Sequence, residues 1–282
     1  MKKFYTILLI SLISIFCFSV DYEDDLDLVL VETYNFQIGN SCIDCNPNFP
    51  LAMHYVDFTY DFYISKYETS KNLFLEFVKD TDYYFSIYSE IYFDEKHPDN
   101  PICGVSWVDS VIFCNWLCDK YDFPPSYDSK GNLLDESGKK TDNPKRVAGF
   151  RLPTDAEWEM AATGGLFNSF STYSGSDDIE RVCWYLKNSD LKVHPSGSLN
   201  DNELGLFDMS GNLWEWTTDS FYMVNNYGSS VTDPYYNLGY NKIIRGGSAD
   251  SVYEYCKPFY RFGENHLERD NFTGFRIVIT DK

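Results

Sequence analysis

Along this chain the apolar positions change period several times and never hold one rhythm for long. Leu26 to Ile38 alternates apolar with polar residues and reads as a first strand, ended by Gly39-Asn40. Asp57 to Tyr67 carries aromatic side chains at alternate positions and reads as a second. The period then lengthens. Leu73, Phe74, Phe77 and Val78 fall at helical spacing within Glu68–Lys79, where Thr69 or Ser70 can cap the start. Ser106–Tyr121 repeats that pattern, with Val108, Val111, Ile112, Asn115, Trp116 and Cys118 on and around one face. A third helix opens at Arg151-Leu152-Pro153-Thr154, because Thr154 with Glu157 three positions later forms a capping box. It runs through Trp158 and Ala162 to a glycine stop at Gly164-Gly165. Acidic and aromatic irregular sequence leads up to Pro101, and Pro124-Pro125, Gly131-Asn132 and Gly138 mark an excursion of turns over 124–149. After Gly165, short strand-like pieces alternate with turns. No repeat, linker or low-complexity tract divides the pattern, which predicts one α+β domain over 24–282.

The first residues stand apart. Lys2 and Lys3 precede an apolar run from Phe4 to Phe18, and acidic residues begin at Asp21. A basic start, an apolar stretch and small residues before a polar junction make a secretory signal over 1–19, with Cys17 and Ser19 suiting cleavage after Ser19. The run falls short of the roughly 20 residues that a transmembrane helix needs. The mature chain is therefore expected in the periplasm, at the cell envelope or in the medium. Lipidation at Cys17 is an alternative that bulky Phe16 disfavours.

Composition sharpens this picture. Hydrophobic residues at 44% and aromatics at 18% allow an aromatic-rich core and exclude a disordered chain. The formal charge of −20 repels phosphate backbones and argues against a nucleic-acid partner, while leaving divalent cations or basic peptides as candidates. Of the eight cysteines, removal of the leader takes Cys17, and the odd remainder leaves at least one thiol without an intramolecular partner. Cys42 and Cys45 form a C-x-x-C with no second pair to complete a zinc site; a local disulfide or two ordinary thiols suits them better than redox catalysis.

Six segments then fall into a recognisable order. Phe150-Arg151-Leu152-Pro153-Thr154-Asp155-Ala156-Glu157-Trp158-Glu159 is followed by Gly205-Leu206-Phe207-Asp208-Met209-Ser210-Gly211-Asn212-Leu213-Trp214-Glu215-Trp216, then by Arg245-Gly246-Gly247-Ser248 and Gly274-Phe275-Arg276. Upstream lie Asp61–Glu68 and Val105-Ser106-Trp107. Together, over about residues 28–279, they resemble the formylglycine-generating (sulfatase-modifying factor) family. The resemblance implies a C-type-lectin-like α+β fold with few short helices and strands and much irregular structure. It also implies a founding activity, the oxidation of a sulfatase cysteine to formylglycine by molecular oxygen at a copper(I) ion held by two cysteines. Other members display the fold as a ligand-binding module, including hypervariable surface proteins.

The carry-over of that chemistry is incomplete. The first copper cysteine should stand three residues after Ser248, where this chain has Ser251; the second falls on Cys256, preceded by Tyr255 as in the enzymes. Copper(I) is a soft ion that prefers thiolates, and a serine oxygen is a poor substitute, so copper is not expected. Asp208, Gly211, Leu213 and Glu215 coincide with a structural calcium site of the family, and two carboxylates with carbonyls from a glycine turn are the donors a hard cation takes. The alternative keeps Glu215 as the partner of a buried arginine such as Arg276. The family's other calcium site is not evident, since the chain there reads Val182-Cys183-Trp184-Tyr185. His54, His97, His194 and His266 show no zinc or iron spacing, and His194-Pro195 suits a turn. The expected function is a non-catalytic domain binding an unknown protein, peptide or glycan. A copper-dependent formylglycine generator is the alternative, and a divergent oxidase a third reading.

Overall fold

In the computed structural model, residues 22–39, 53–85, 100–167, 171–221 and 230–282 are described. The leader over 1–19 with Cys17, the Cys42/Cys45 pair and His97 lie outside them. Among the described residues are four α-helices: α1 (Tyr22–Asp25), α2 (Lys71–Thr81), α3 (Trp107–Lys120) and α4 (Asp155–Ala162). Each longer helix starts where its sequence supplies a cap. Ser70 accepts from the Leu73 amide at 3.2 Å, and Ser106 forms a capping box with Asp109. The expected box of Thr154 and Glu157 closes with bonds of 2.7 and 3.1 Å. Past α4, Gly164 and Gly165 both take positive φ and end the helix.

The strands among the described residues form three small sheets. Strands β1 (Leu28–Val31), β4 (Phe62–Ser65) and β10 (Val278–Thr280) form an antiparallel sheet in the order β1-β4-β10, which ties the two ends of the described chain together. A second has β2 (Asn35–Ile38) and β3 (His54–Asp57) antiparallel, with β6 (Ser230–Thr232) parallel to β3. The third runs β8 (Arg261–Asn265), β7 (Asn241–Arg245), β5 (Trp214–Ser220) and β9 (Thr273–Gly274).

Two strand expectations need correction. Leu26–Ile38 is not one strand but β1 and β2, which belong to different sheets. Likewise Asp57–Tyr67 divides, its start ending β3 and Phe62–Ser65 forming β4. A polar knot makes both breaks. The Thr33 amide donates to Asp61 at 2.7 Å and the Thr33 hydroxyl to the Tyr60 carbonyl at 2.7 Å, while the Thr59 amide and hydroxyl both donate to Asp233. Alternation persists in the sequence because the residues on both sides of each bend face the core.

The core is aromatic. Phe74, Phe77, Phe113 and Phe275 pack between α2, α3 and the C-terminal segment, and Phe74 stacks on Phe113 at 5.6 Å. Trp158 of α4 anchors a second cluster with Phe36, Ile38, Phe62 and Ile64. Among the described residues no helix is long and apolar enough to cross a membrane.

Candidate functional site

The signature segments meet in the interior, and buried arginines join them. Arg151 makes two bonds of 2.7 Å to Glu157. Arg245, from the Arg-Gly-Gly-Ser segment, pairs with Asp155 and, at 2.9 Å, with Glu159 on α4. Arg276 holds Glu215 by two bonds of 2.7 Å and donates onward to the carbonyls of Ser65 and Phe207. The Trp158 indole N–H adds a third bond to Glu215 at 2.7 Å. Each arginine is fully buried, so each needs its carboxylate, and the carboxylate comes from another segment or the adjoining helix. Beside the Arg151 pair, Glu157 is held below the ordinary glutamate range despite burial.

The turn over 208–215 is shaped by backbone geometry. Asp208 and Asn212 adopt positive φ, and at Gly211 a Cβ would lie 2.2 Å from the Trp184 carbonyl oxygen, so only glycine fits. Asp208 accepts from the Gly197 amide at 2.7 Å. Asn212 reaches Glu68, whose carboxylate also accepts from Ser196 at 2.7 Å. Burial pushes both acids up, Asp208 to about 6 and Glu68 well above its ordinary value, the latter helped by the neighbouring charges of Asp208 and Glu215. Three carboxylates thus lie near one guanidinium, and the crowding of negative charge adds to burial in raising Glu68 and Asp208.

This donor set does not fit the calcium expected at Asp208, Gly211, Leu213 and Glu215. Calcium is a hard cation that takes about six to eight oxygen ligands at about 2.3–2.6 Å. Both Glu215 oxygens already face Arg276, whose charge would repel a second cation. The geometry favours the arginine as the partner of Glu215.

Ser248, Ser251 and Cys256 lie in one loop but face different surroundings. The Ser251 hydroxyl accepts from the Ser248 amide at 3.1 Å and shares a bond with the Ser248 hydroxyl at 2.8 Å; Ser248 also donates to Asp250 at 2.6 Å. Ser251 lines an open cleft of about 390 Å³ with Trp214, Ile244, Tyr255 and Phe262 as apolar walls and Asp250, Glu264 and Asp270 as acids. Cys256 does not line it. The thiol is fully buried with Tyr173, Val182, Cys183 and Tyr185. Burial, and next a hydrogen bond with Cys256, push the Cys183 thiol well up.

Of the histidines described, His194 stacks on Trp184 at 3.8 Å and its ring meets the Ser189 carbonyl; His194 and Pro195 lie just before a turn that begins at Ser196, not within it, and His54 and His266 lie elsewhere. Sequence reasoning missed the cleft walls. Tyr255, Phe262 and Trp214 are indistinguishable from core aromatics until β8 and the 248–260 loop bring them to one surface. It also missed Lys242, buried with its ammonium 4.1 Å above Trp107 and bonded to the Thr218 carbonyl and Asn237. Burial lowers its pKa to about 8. That signal exists only in three dimensions.

Comparison with known proteins agrees with the signature. The sulfatase-modifying factor enzyme 1-like domain matches residues 21–281. The chaperone protein LppX of Paenibacillus barcinonensis is 32% identical over 67% of this chain and 70% of its own length. A formylglycine-generating enzyme of Streptomyces coelicolor is 27% identical, with the match covering 57% of this chain and 46% of the enzyme, so the chain spans about half of that relative. In structure, Treponema denticola variable protein 1 is similar, with a TM-score of 0.72, 26% identity, and coverage of 89% of this chain and 94% of that one.

Proposed function

The chain belongs to the sulfatase-modifying factor enzyme 1-like family, and from that premise we propose that it is a non-catalytic binding member acting outside the cytoplasm. The observation that carries this reading is Ser251. Where the enzymes of the family place a copper thiolate, a hydroxyl is tied to Ser248, and the remaining thiol, Cys256, faces a buried cluster and not the cleft. A protonated hydroxyl adds little affinity for a soft ion. The signature residues that survive, Arg151, Arg245, Arg276 and their acids, hold the fold together, and they would be retained with or without catalysis.

The cleft supports a polypeptide ligand bearing a basic side chain. Aromatic walls offer stacking and cation–π contact, and three acids in a chain of net charge −20 offer the complementary sign. A relative named as a chaperone protein suits a polypeptide ligand better than a glycan. The leader over 1–19 supports the extracytoplasmic setting. Calcium is not part of the proposal, because Arg276 engages both oxygens of Glu215.

The test has two arms on the mature protein. Copper-loaded protein incubated in air with a C-x-P-x-R peptide should yield no aldehyde by mass spectrometry; enzyme-like turnover would restore the oxidase reading. Titration with a lysine- and arginine-rich peptide should change tryptophan fluorescence, and Trp214→Ala or Glu264→Gln should weaken the response. An unchanged signal with that peptide, together with saturable binding of a neutral oligosaccharide, would replace the peptide by a glycan.

A further inference from the structure

We propose that Cys183 and Cys256 join in a disulfide that pins the 179–185 loop to the 248–256 loop. The two are far apart in sequence, and nothing in their spacing pairs them. In the fold both are fully buried in one cluster with Tyr173, Val182 and Tyr185.

The backbone around them shows how closely the sulfurs are steered together. The Cys183 sulfur lies 2.5 Å from the point where a Cβ on Gly211 would stand, and the Cys256 sulfur 2.8 Å from the corresponding point on Gly247. These glycines belong to segments that are themselves bonded, the Gly211 amide donating to the Gly246 carbonyl at 2.8 Å. Each sulfur therefore leans on a bare α-carbon, and the two α-carbons sit on adjoining strands of chain. Both cysteine backbones are also fixed. The Cys183 amide donates to the Ile179 carbonyl at 3.0 Å and the Cys183 carbonyl accepts from Asn188 at 2.9 Å; the Cys256 carbonyl accepts from Ser210 at 2.7 Å.

Closing the bond requires two electrons and two protons to leave the pair of thiols. A low-molecular-weight disulfide, such as oxidised glutathione, takes both by thiol–disulfide exchange and is released as two thiols. Attack starts from a thiolate, and burial pushes the Cys183 thiol upward, so exchange on the native protein is slow and the bond forms while the chain folds. An oxidising compartment is where it would persist. The link would also remove Cys256 from any copper chemistry, yet it stands independently of what the cleft binds.

The experiment refolds the reduced full chain in a glutathione redox buffer, blocks free thiols with an alkylating agent under denaturing conditions, and digests with trypsin. The fragment 182–187 should appear linked to 246–261 and the link should vanish on reduction. Reductant should lower the melting temperature of the refolded parent by several degrees and leave that of Cys183→Ala unchanged. Should Cys183→Ala fail to fold, the linked fragment in the parent decides alone. Recovery of both fragments fully alkylated after oxidative refolding would overturn the proposal. So would linkage of either cysteine chiefly to Cys103, Cys114 or Cys118, or protection of both thiols by stoichiometric copper(I) in place of a cross-link.

Discussion

Arg276 and Glu215, 61 residues apart, close on each other through two bonds of 2.7 Å in the fully buried interior, with the Trp158 indole as a third contact. Three segments that look like an enzyme signature in the sequence thus meet in one structural knot. Removing one partner leaves a buried charge uncompensated, a loss of about 3–5 kcal/mol. Glu215→Gln is expected to destabilise the protein on that scale in denaturant unfolding. A loss below about 1 kcal/mol, the range of an exposed pair, would show that the pair is not buried in solution.

The same knot bears on calcium. An ion that binds only the native state raises stability by RT ln(1 + [L]/Kd). Because Arg276 occupies the Glu215 carboxylate, chelator and millimolar-scale calcium are expected to give the same melting curve. A calcium-dependent rise that Glu215→Gln abolishes would assign the turn to the ion after all.

Stability should also fall between mildly acidic and neutral pH. Burial raises Glu68, and burial with the Asp155 charge raises Asp219 to about 7. A group with a raised folded pKa contributes fully below its unfolded value and loses that contribution as pH climbs through the folded one. Lys242 works in the opposite direction at higher pH. Its folded pKa is depressed to about 8, so from there toward the ordinary lysine value the unfolded chain holds a proton that the folded chain lacks, and stability recovers. Melting temperature plotted against pH should therefore dip near neutrality. Asp219→Asn should flatten the acidic limb, and Lys242→Met the basic one. A monotonic curve in the parent from about pH 5 to 9 would contradict the burial of both groups.

How much of this is visible in the sequence depends on whether the cause is local. Ser70, Ser106 and Thr154 cap their helices within three residues, and each helix lies within a few positions of where its pattern puts it. The breaks at Thr33 and Thr59 are hidden, because they depend on Asp61 and Asp233 reaching back across the fold. For the site, Ser251 stands out as a missing thiolate, and Arg276 is among the readings open for Glu215. The cleft is invisible, and for Cys183 the sequence offers only a cysteine free to fold in beside Cys256, since both are placed by loops whose course no spacing encodes.

Ser251→Cys tests the central reading most directly. Ser251 is nearly buried, 5% exposed, and its oxygen is held by the Ser248 amide and hydroxyl. Exchange for sulfur weakens those bonds, each worth about 1 kcal/mol net, so the variant should fold with a modest loss of stability. It restores the second thiol of the family's pattern beside the cleft. Under reducing conditions, where Cys256 is free, two thiolates can then hold copper(I), and the variant should gain tight binding in competition with a copper(I) chelator. Cys183→Ala in both proteins removes the neighbouring thiol of the same buried cluster, and with Ser251 in place the protein should then lose the ion to the same chelator. Equal retention by parent and variant would show that Ser251 is not what separates this chain from the copper enzymes, and the non-catalytic reading would fall with it. Gain of copper without aldehyde formation on a C-x-P-x-R peptide would instead show that the cleft has diverged from the sulfatase substrate as well as from the metal.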